Sequence, residues 1–239
     1  MKLHPAQTAL REYAKPEKKD VLEWFFKTGP GQYGEGDRFI GVVVPQVRAV
    51  VKRFRGTPPD DAVKILSSPV NEDRLLALLL WVDSYQRGTP TQRARIAQLY
   101  LKHKRRVNNW NLVDASAPYI LGEHLHGKDA SVLDRLAKSP TLWDRRIAIV
   151  STFYSIRQRD FRKCLEICEA LLDDEEDLLH KACGWMLREV GKRNEAVLEQ
   201  FLRKHGPRMP RTMLRYAIER MPEIKRKRYL AIQPAKRSK

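Results

Sequence analysis

Helical periodicity recurs along this chain in pairs, and the pairs themselves recur. Long apolar segments begin near Asn71, Asn109, Thr141, Glu175 and Pro210, at spacings of 38, 32, 34 and 35 residues. A shorter amphipathic segment such as AVKILSS, RARIAQLYLK, SVLDRLAKS or CLEICEALL precedes each of them. Apolar residues return every three to four positions in nearly every segment, the spacing of a helix face rather than of a strand. Only FIGVVVP, from Phe39, reads as a possible strand, and a short helical or irregular connection fits it equally. A helix pair buries its apolar face only by stacking on its neighbours, so a period in the thirties predicts an α-solenoid. The expected fold is therefore all-α: a curved solenoid of HEAT-like helical repeats with a concave basic groove. One domain over 1–232 is expected, followed by a basic disordered tail, 233–239.

Charge narrows the partner. Lys and Arg number 46 against 29 Asp and Glu, for a formal net charge of +17 spread along the whole chain. A polyanion is the natural ligand, and nucleic acid ranks ahead of a membrane surface because no strongly apolar stripe backs a basic face. The longest apolar run, LLALLLWV from Leu75, falls far short of the roughly 20 residues that span a bilayer, and the N-terminus lacks a signal-peptide core. A cytoplasmic protein is expected. Of three cysteines, Cys164 and Cys168 lie one helical turn apart on an apolar side and read as small buried hydrophobes. His124 and His126 diverge at a helix end without further ligands, so zinc is not expected, and neither Ser116 nor Ser151 has the partners of a hydrolytic triad.

The recurring long helices can be compared by phase. Near their starts stand Arg74, Asp114, Arg146, Lys181 and Arg215: four cations and one acid. The cations read as phosphate contacts, joined by Arg211 one turn before Arg215. A carboxylate among phosphate contacts repels the ligand, so Asp114 either has a task or pairs with a neighbouring arginine or caps a helix. Trp110 lies four residues before Asp114, and Trp185 four after Lys181, so each pair shares a helix face. Two tryptophans beside such cations suit a ligand that stacks or carries positive charge.

The segments NNWNLVD, LWDRRIAIV and HKACGWMLREVGKR, in this order and spacing, resemble the AlkD-type DNA alkylation repair glycosylases, a family built from HEAT-like repeats. The resemblance runs from roughly Val21 to Pro222 and is densest from Asn108 to Arg193. It implies excision of cationic N3- and N7-alkylated purines from duplex DNA by hydrolysis of the N-glycosidic bond. By residue, it implies Asp114 as the catalytic carboxylate, Trp110 and Trp185 as lesion-facing aromatics, and Arg146 as a backbone contact. The expected DNA-binding set is Arg74, Arg145, Arg146, Lys181, Arg188, Arg211 and Arg215. No metal or organic cofactor, no membrane and no obligate protein partner are expected, and a monomer suffices. No lysine stands as a Schiff-base nucleophile, so the enzyme would be monofunctional. The competing readings are a noncatalytic module binding damaged or branched DNA and a protein-interaction solenoid with an acidic partner. Two features depart from the best-known branch of the family. Asn109 and Asn111 flank Trp110 where another tryptophan and an acid stand there, and TGPGQYGEGDRFIG, from Thr28 to Gly41, is a glycine-rich insertion. That insertion reads either as an ordinary connection or as a flexible element carrying Tyr33 near the DNA edge.

Overall fold

A computed structural model describes residues 3–232 of the chain, so the expected tail, 233–239, lies outside the described residues. Two compact units divide at His124 and Leu125. Every regular element among the described residues is helical, as the periodicity predicts; FIGVVVP contributes one isolated parallel bridge, between Arg38 and Val70, and no strand.

The first unit contains α1 (Pro5–Arg11), α2 (Pro16–Phe25), α3 (Val44–Arg53), α4 (Pro59–Leu66), α5 (Asn71–Arg87), α6 (Pro90–His103) and α7 (Trp110–Ala117). Proline opens most of these helices, where its missing N–H would have had no partner in any case. Thr89 and Gln92 close a reciprocal capping box on α6. The centre of the unit is α5, whose residues from Asn71 to Trp81 are buried on every side because α3, α4, α6 and α7 all pack against it. A helix surrounded in this way has no polar face, which is why LLALLLWV reads as a continuous apolar run. Trp81 is fully buried, and its indole N–H finds the Pro59 carbonyl at 2.9 Å. Pro118 lacks the N–H that would continue α7, and the chain passes through a π-helical turn, Pro118–Gly122, into α8 (Glu123–Leu125), where the first unit ends.

The second unit contains α9 (Ser131–Ala137), α10 (Leu142–Ser151), α11 (Phe153–Arg157), α12 (Arg162–Ala170), α13 (Asp177–Gly191), α14 (Glu195–His205), α15 (Arg211–Ile218) and α16 (Glu223–Leu230). The long helices stack in sequence, α10 on α13 and α13 on α15, while α9, α12 and α14 pack behind them. Close approach of α13 to α15 depends on Gly184: a Cβ there would lie 2.5 Å from the Met213 carbonyl oxygen. Cys164, Cys168 and Cys183 are free and buried, as expected of small hydrophobes.

Residues capping the repeated long helices are Val70, Asn109, Thr141, Glu176 and Pro210. Counting from the cap, Asp114, Arg146, Lys181 and Arg215 all fall at the fifth position and are equivalent. Arg74 is not: it falls at the fourth, with Arg145 and His180. The turns themselves repeat, SPVNEDR before and into α5 and SPTLWDR before and into α10. Arg74 Nη1 donates to the Ser68 and Pro69 carbonyls at 3.2 and 3.0 Å, and Arg145 Nη1 to those of Ser139 and Pro140 at 3.0 and 2.9 Å. The His180 ring takes the same place on the Asp174 carbonyl, at 2.6 Å.

Candidate functional site

In the first unit the site residues sit on the opening turns of α7. Asn109 is buried in extended conformation, and its side-chain oxygen accepts from the Trp110 N–H at 2.8 Å. Trp110 is half-buried, and its indole stacks on Phe26, with centroids 5.0 Å apart and rings 18° from parallel. Phe26 stacks in turn on Phe39 at 4.8 Å, and Phe25 meets the indole edge-on at 5.8 Å. Beyond them Trp24 and Phe25 are exposed, and the Lys27 ammonium lies 4.9 Å over the Trp24 ring. Asp114 follows Trp110 by four residues and is half-buried. Beneath α7 the Tyr100 hydroxyl bonds Ser116 at 3.0 Å; burial pushes that hydroxyl far above its ordinary pKa, and the charge of Asp114 adds to the effect. Tyr100 therefore stays neutral, and Asp114 is the one ionisable side chain on α7.

In the second unit Trp185 is half-buried on α13, tilted against Phe153 at 5.8 Å. Arg146 is buried and donates to the Leu178 carbonyl at 2.6 Å. Lys181 is partly exposed and paired with Asp177 at 2.8 Å one turn away. A surface pair of this kind contributes about 0–1 kcal/mol, so its lysine can exchange to a phosphate at little cost. Arg145 pairs with Asp174, Nε to Oδ2 at 2.7 Å, and Arg188 with Glu219. Arg211 donates to the Leu230 and Ile232 carbonyls at the end of α16, and Arg215 is exposed.

A model of the DNA alkylation repair enzyme family matches residues 6–221. The chain belongs to that family. Among solved structures it is similar to one described as a predicted DNA alkylation repair enzyme from Enterococcus faecalis, with a TM-score of 0.67 at 17% identity, covering 88% of this chain and 97% of that one. At that identity the likeness bears on the fold. No curated protein matches the chain.

For this alkylation repair family member, one expected DNA contact needs correction. Arg74 is 2% exposed, ion-paired with Asp37 and bonded to two carbonyls, and burial pulls its guanidinium below the ordinary pKa while the Asp37 charge opposes that. It braces the turn before α5 and presents nothing to a phosphate. The apolar phase of α5 put Arg74 level with Asp114; the cap of α5, one residue nearer, removes that equivalence. The glycine-rich segment is an irregular connection that buries Gly34, Asp37, Phe39 and Gly41 and leaves Pro30, Gly31, Gln32, Glu35, Gly36 and Arg38 exposed. Tyr33 is half-buried, with its hydroxyl donating to the Phe25 carbonyl at 3.4 Å. Sequence reasoning missed Phe26, Phe39 and Asp37, which back Trp110 and its cap. An available signal was an acid, Asp37, set two residues before the apolar run FIGVVVP in a stretch with no helical phase, since a buried carboxylate needs partners.

Histidines 124 and 126 form no ligand set: His124 meets Tyr85 edge-on, and His126 Nδ1 lies 3.2 Å from the Ser155 hydroxyl. Among the described residues no group of three or more His, Cys, Asp or Glu is placed to hold a metal ion. No helix among them is long and apolar enough to cross a membrane.

Proposed function

We propose that the protein is a monofunctional DNA glycosylase that hydrolyses the N-glycosidic bond of cationic N3- and N7-alkylated purines in duplex DNA. The observation that carries this reading is the carboxylate of Asp114 one turn beyond an indole, Trp110, that three phenylalanines back or flank. An alkylated purine already carries positive charge, so it departs with the bonding electron pair as a neutral base and needs no proton donor. What remains is to stabilise the oxocarbenium-like sugar and to place a water. A carboxylate near the anomeric carbon does the first by charge and the second by accepting a hydrogen bond while the water oxygen attacks. An indole face favours a cation by about 0.5–2 kcal/mol, which a neutral base does not gain. Trp185, four residues after Lys181 on α13, is the second aromatic of the reading, and Lys181 and Arg146 are its phosphate contacts. The reading involves no metal or organic cofactor and a monomer acting in the cytoplasm.

Release of 7-methylguanine and 3-methyladenine from methylated duplex DNA tests it, wild type beside Asp114→Asn. Wild type should release both bases, and Asp114→Asn should lose about 100-fold or more in rate while DNA affinity holds or rises. Binding should weaken steeply with salt, as phosphate contacts require. DNA binding without release by either protein would replace the glycosylase by the noncatalytic damage-binding module, the second reading that the basic charge of the chain supports.

A further inference from the structure

We propose that Asp37, delivered by the glycine-rich segment, is a positioning residue for Trp110 and Asp114, and that the segment and the asparagines flanking Trp110 form one device. The inference rests on the glycosylase reading for its catalytic consequence and on geometry alone for its structural one.

The repeated turns show why an outside carboxylate is needed. In the second unit the residue two before the cap of α13 is Asp174, and it accepts the Arg145 guanidinium from the preceding repeat. The matching residue two before the cap of α7 is Val107, buried and apolar. It cannot receive Arg74. Asp37 comes in from the glycine-rich segment and takes that role: one oxygen faces Arg74, and the other accepts from Asn71 Nδ2 at 2.8 Å and Asn109 Nδ2 at 2.9 Å. Asn111 Nδ2 then donates to Asn71 Oδ1 at 2.7 Å. Trp110 is thus tethered on both chain neighbours, while Phe26 covers one face of its ring.

The segment that brings Asp37 is itself anchored just beyond that residue. Its end is bridged to Val70, and one oxygen of the buried Glu72 accepts from the N–H groups of Ile40, Gly41 and Val42 at 3.0, 3.0 and 3.2 Å. Gly41 has φ of +81°, and a Cβ there would lie 2.0 Å from the Lys15 carbonyl oxygen. A carboxylate fixed on such a support sets the cap geometry of α7, and with it the direction in which the first turn presents the indole and Asp114. A purely structural counterion for Arg74 would not need the amide of Asn109.

Asn109→Ser separates these roles, because the cap oxygen and the Arg74–Asp37 pair survive and only the amide tether to Asp37 is lost. The experiment labels the protein with 5-fluorotryptophan and reads its five tryptophan resonances, assigning that of Trp110 by its loss in Trp110→Phe, alongside single-turnover release of 7-methylguanine. The expected result is a shifted or broadened Trp110 resonance with the others unmoved, excision slower by about 10- to 100-fold, and DNA affinity within about twofold of wild type, since misplacement by an ångström acts on the barrier and not on phosphate contacts. An unchanged Trp110 resonance and an unchanged rate would overturn the proposal. If wild type released no base, the glycosylase reading would fall, and the fluorine resonance would still decide the positioning. Should Asn109→Ser fail to fold, Asn111→Ser breaks the second tether, leaves the cap in place and carries both readouts.

Discussion

The turns SPVNEDR and SPTLWDR are the same device built twice, and they are closed differently. In both, the serine hydroxyl donates to the aspartate five residues on, Ser68 to Asp73 at 2.7 Å and Ser139 to Asp144 at 2.8 Å, and accepts the N–H two residues on. In both, the arginine grips its own turn through two carbonyls. The carboxylate that neutralises the arginine differs. Arg145 finds Asp174 in the next repeat, with side chains 15% and 8% exposed, whereas Arg74 finds Asp37 in the insertion, with 2% and 3%. Local sequence specifies the turn, and the repeat propagates the closing pair only where a polar residue stands at the matching place. The first unit breaks that chain of pairing at Val107, and the break frees the α7 cap to be set by Asp37.

The largest expected difference between the two turns is therefore in the closing carboxylate. Removing one partner of a buried pair strands a charge, at a cost of about 3–5 kcal/mol, so Asp37→Ala should destabilise the protein on that scale. Asp174→Ala leaves Arg145 more access to water and should cost about 1–3 kcal/mol. Urea unfolding of the two variants side by side checks this, and equal losses would break the distinction. A second contrast is between the helices themselves. At the eighth position from the cap α5 carries Leu78 and α13 carries Gly184, against which α15 is seated. Gly184→Ala forces a methyl onto the Met213 carbonyl and should cost about 1–3 kcal/mol despite the better helix propensity of alanine. A gain in thermal midpoint would show that α15 yields instead. The serines come next: Ser68→Ala and Ser139→Ala each remove one cap-like hydroxyl and should each cost about 1 kcal/mol, with equal losses expected because the local turns are the same.

These contrasts also mark where the sequence is legible. Period and hydrophobic phase locate the long helices to within a residue or two of their caps, because a helix that buries one face must repeat it. Asp114 and Trp110 stand out for the same reason, as departures from a pattern the other repeats define. Arg74 is the exception because α5 is buried on every side from Asn71 to Trp81, so its apolar phase fixes the register only to within a residue and does not tell an inward charge from an outward one. The contact of Asp37 with Asn109 spans 72 residues, and neither side chain lies in a periodic segment on the Asp37 side. Nothing local announces such a pair. Only the absence of an acceptor at Val107, visible once the turns are superposed, calls for it.

The smallest predicted effect sharpens the comparison through pH. Two residues after the cap, α5 carries Glu72 and α10 carries Trp143, so only the first unit buries a carboxyl group at this place. Burial pushes the Glu72 carboxyl above its ordinary value, and the backbone N–H groups of Ile40, Val42 and Gly41 pull against that without cancelling it. A folded-state value raised above the unfolded one means that the native protein binds this proton more tightly. The stabilisation is complete below the ordinary glutamate range and is lost as pH rises through the raised value. Glu72→Gln keeps an oxygen for the three N–H groups and has no proton to lose. Measured from about pH 4 to pH 7, the stability of wild type relative to Glu72→Gln should therefore decline with rising pH. A flat difference would mean that the three backbone donors fully offset burial, and the support beneath Asp37 would then be insensitive to pH.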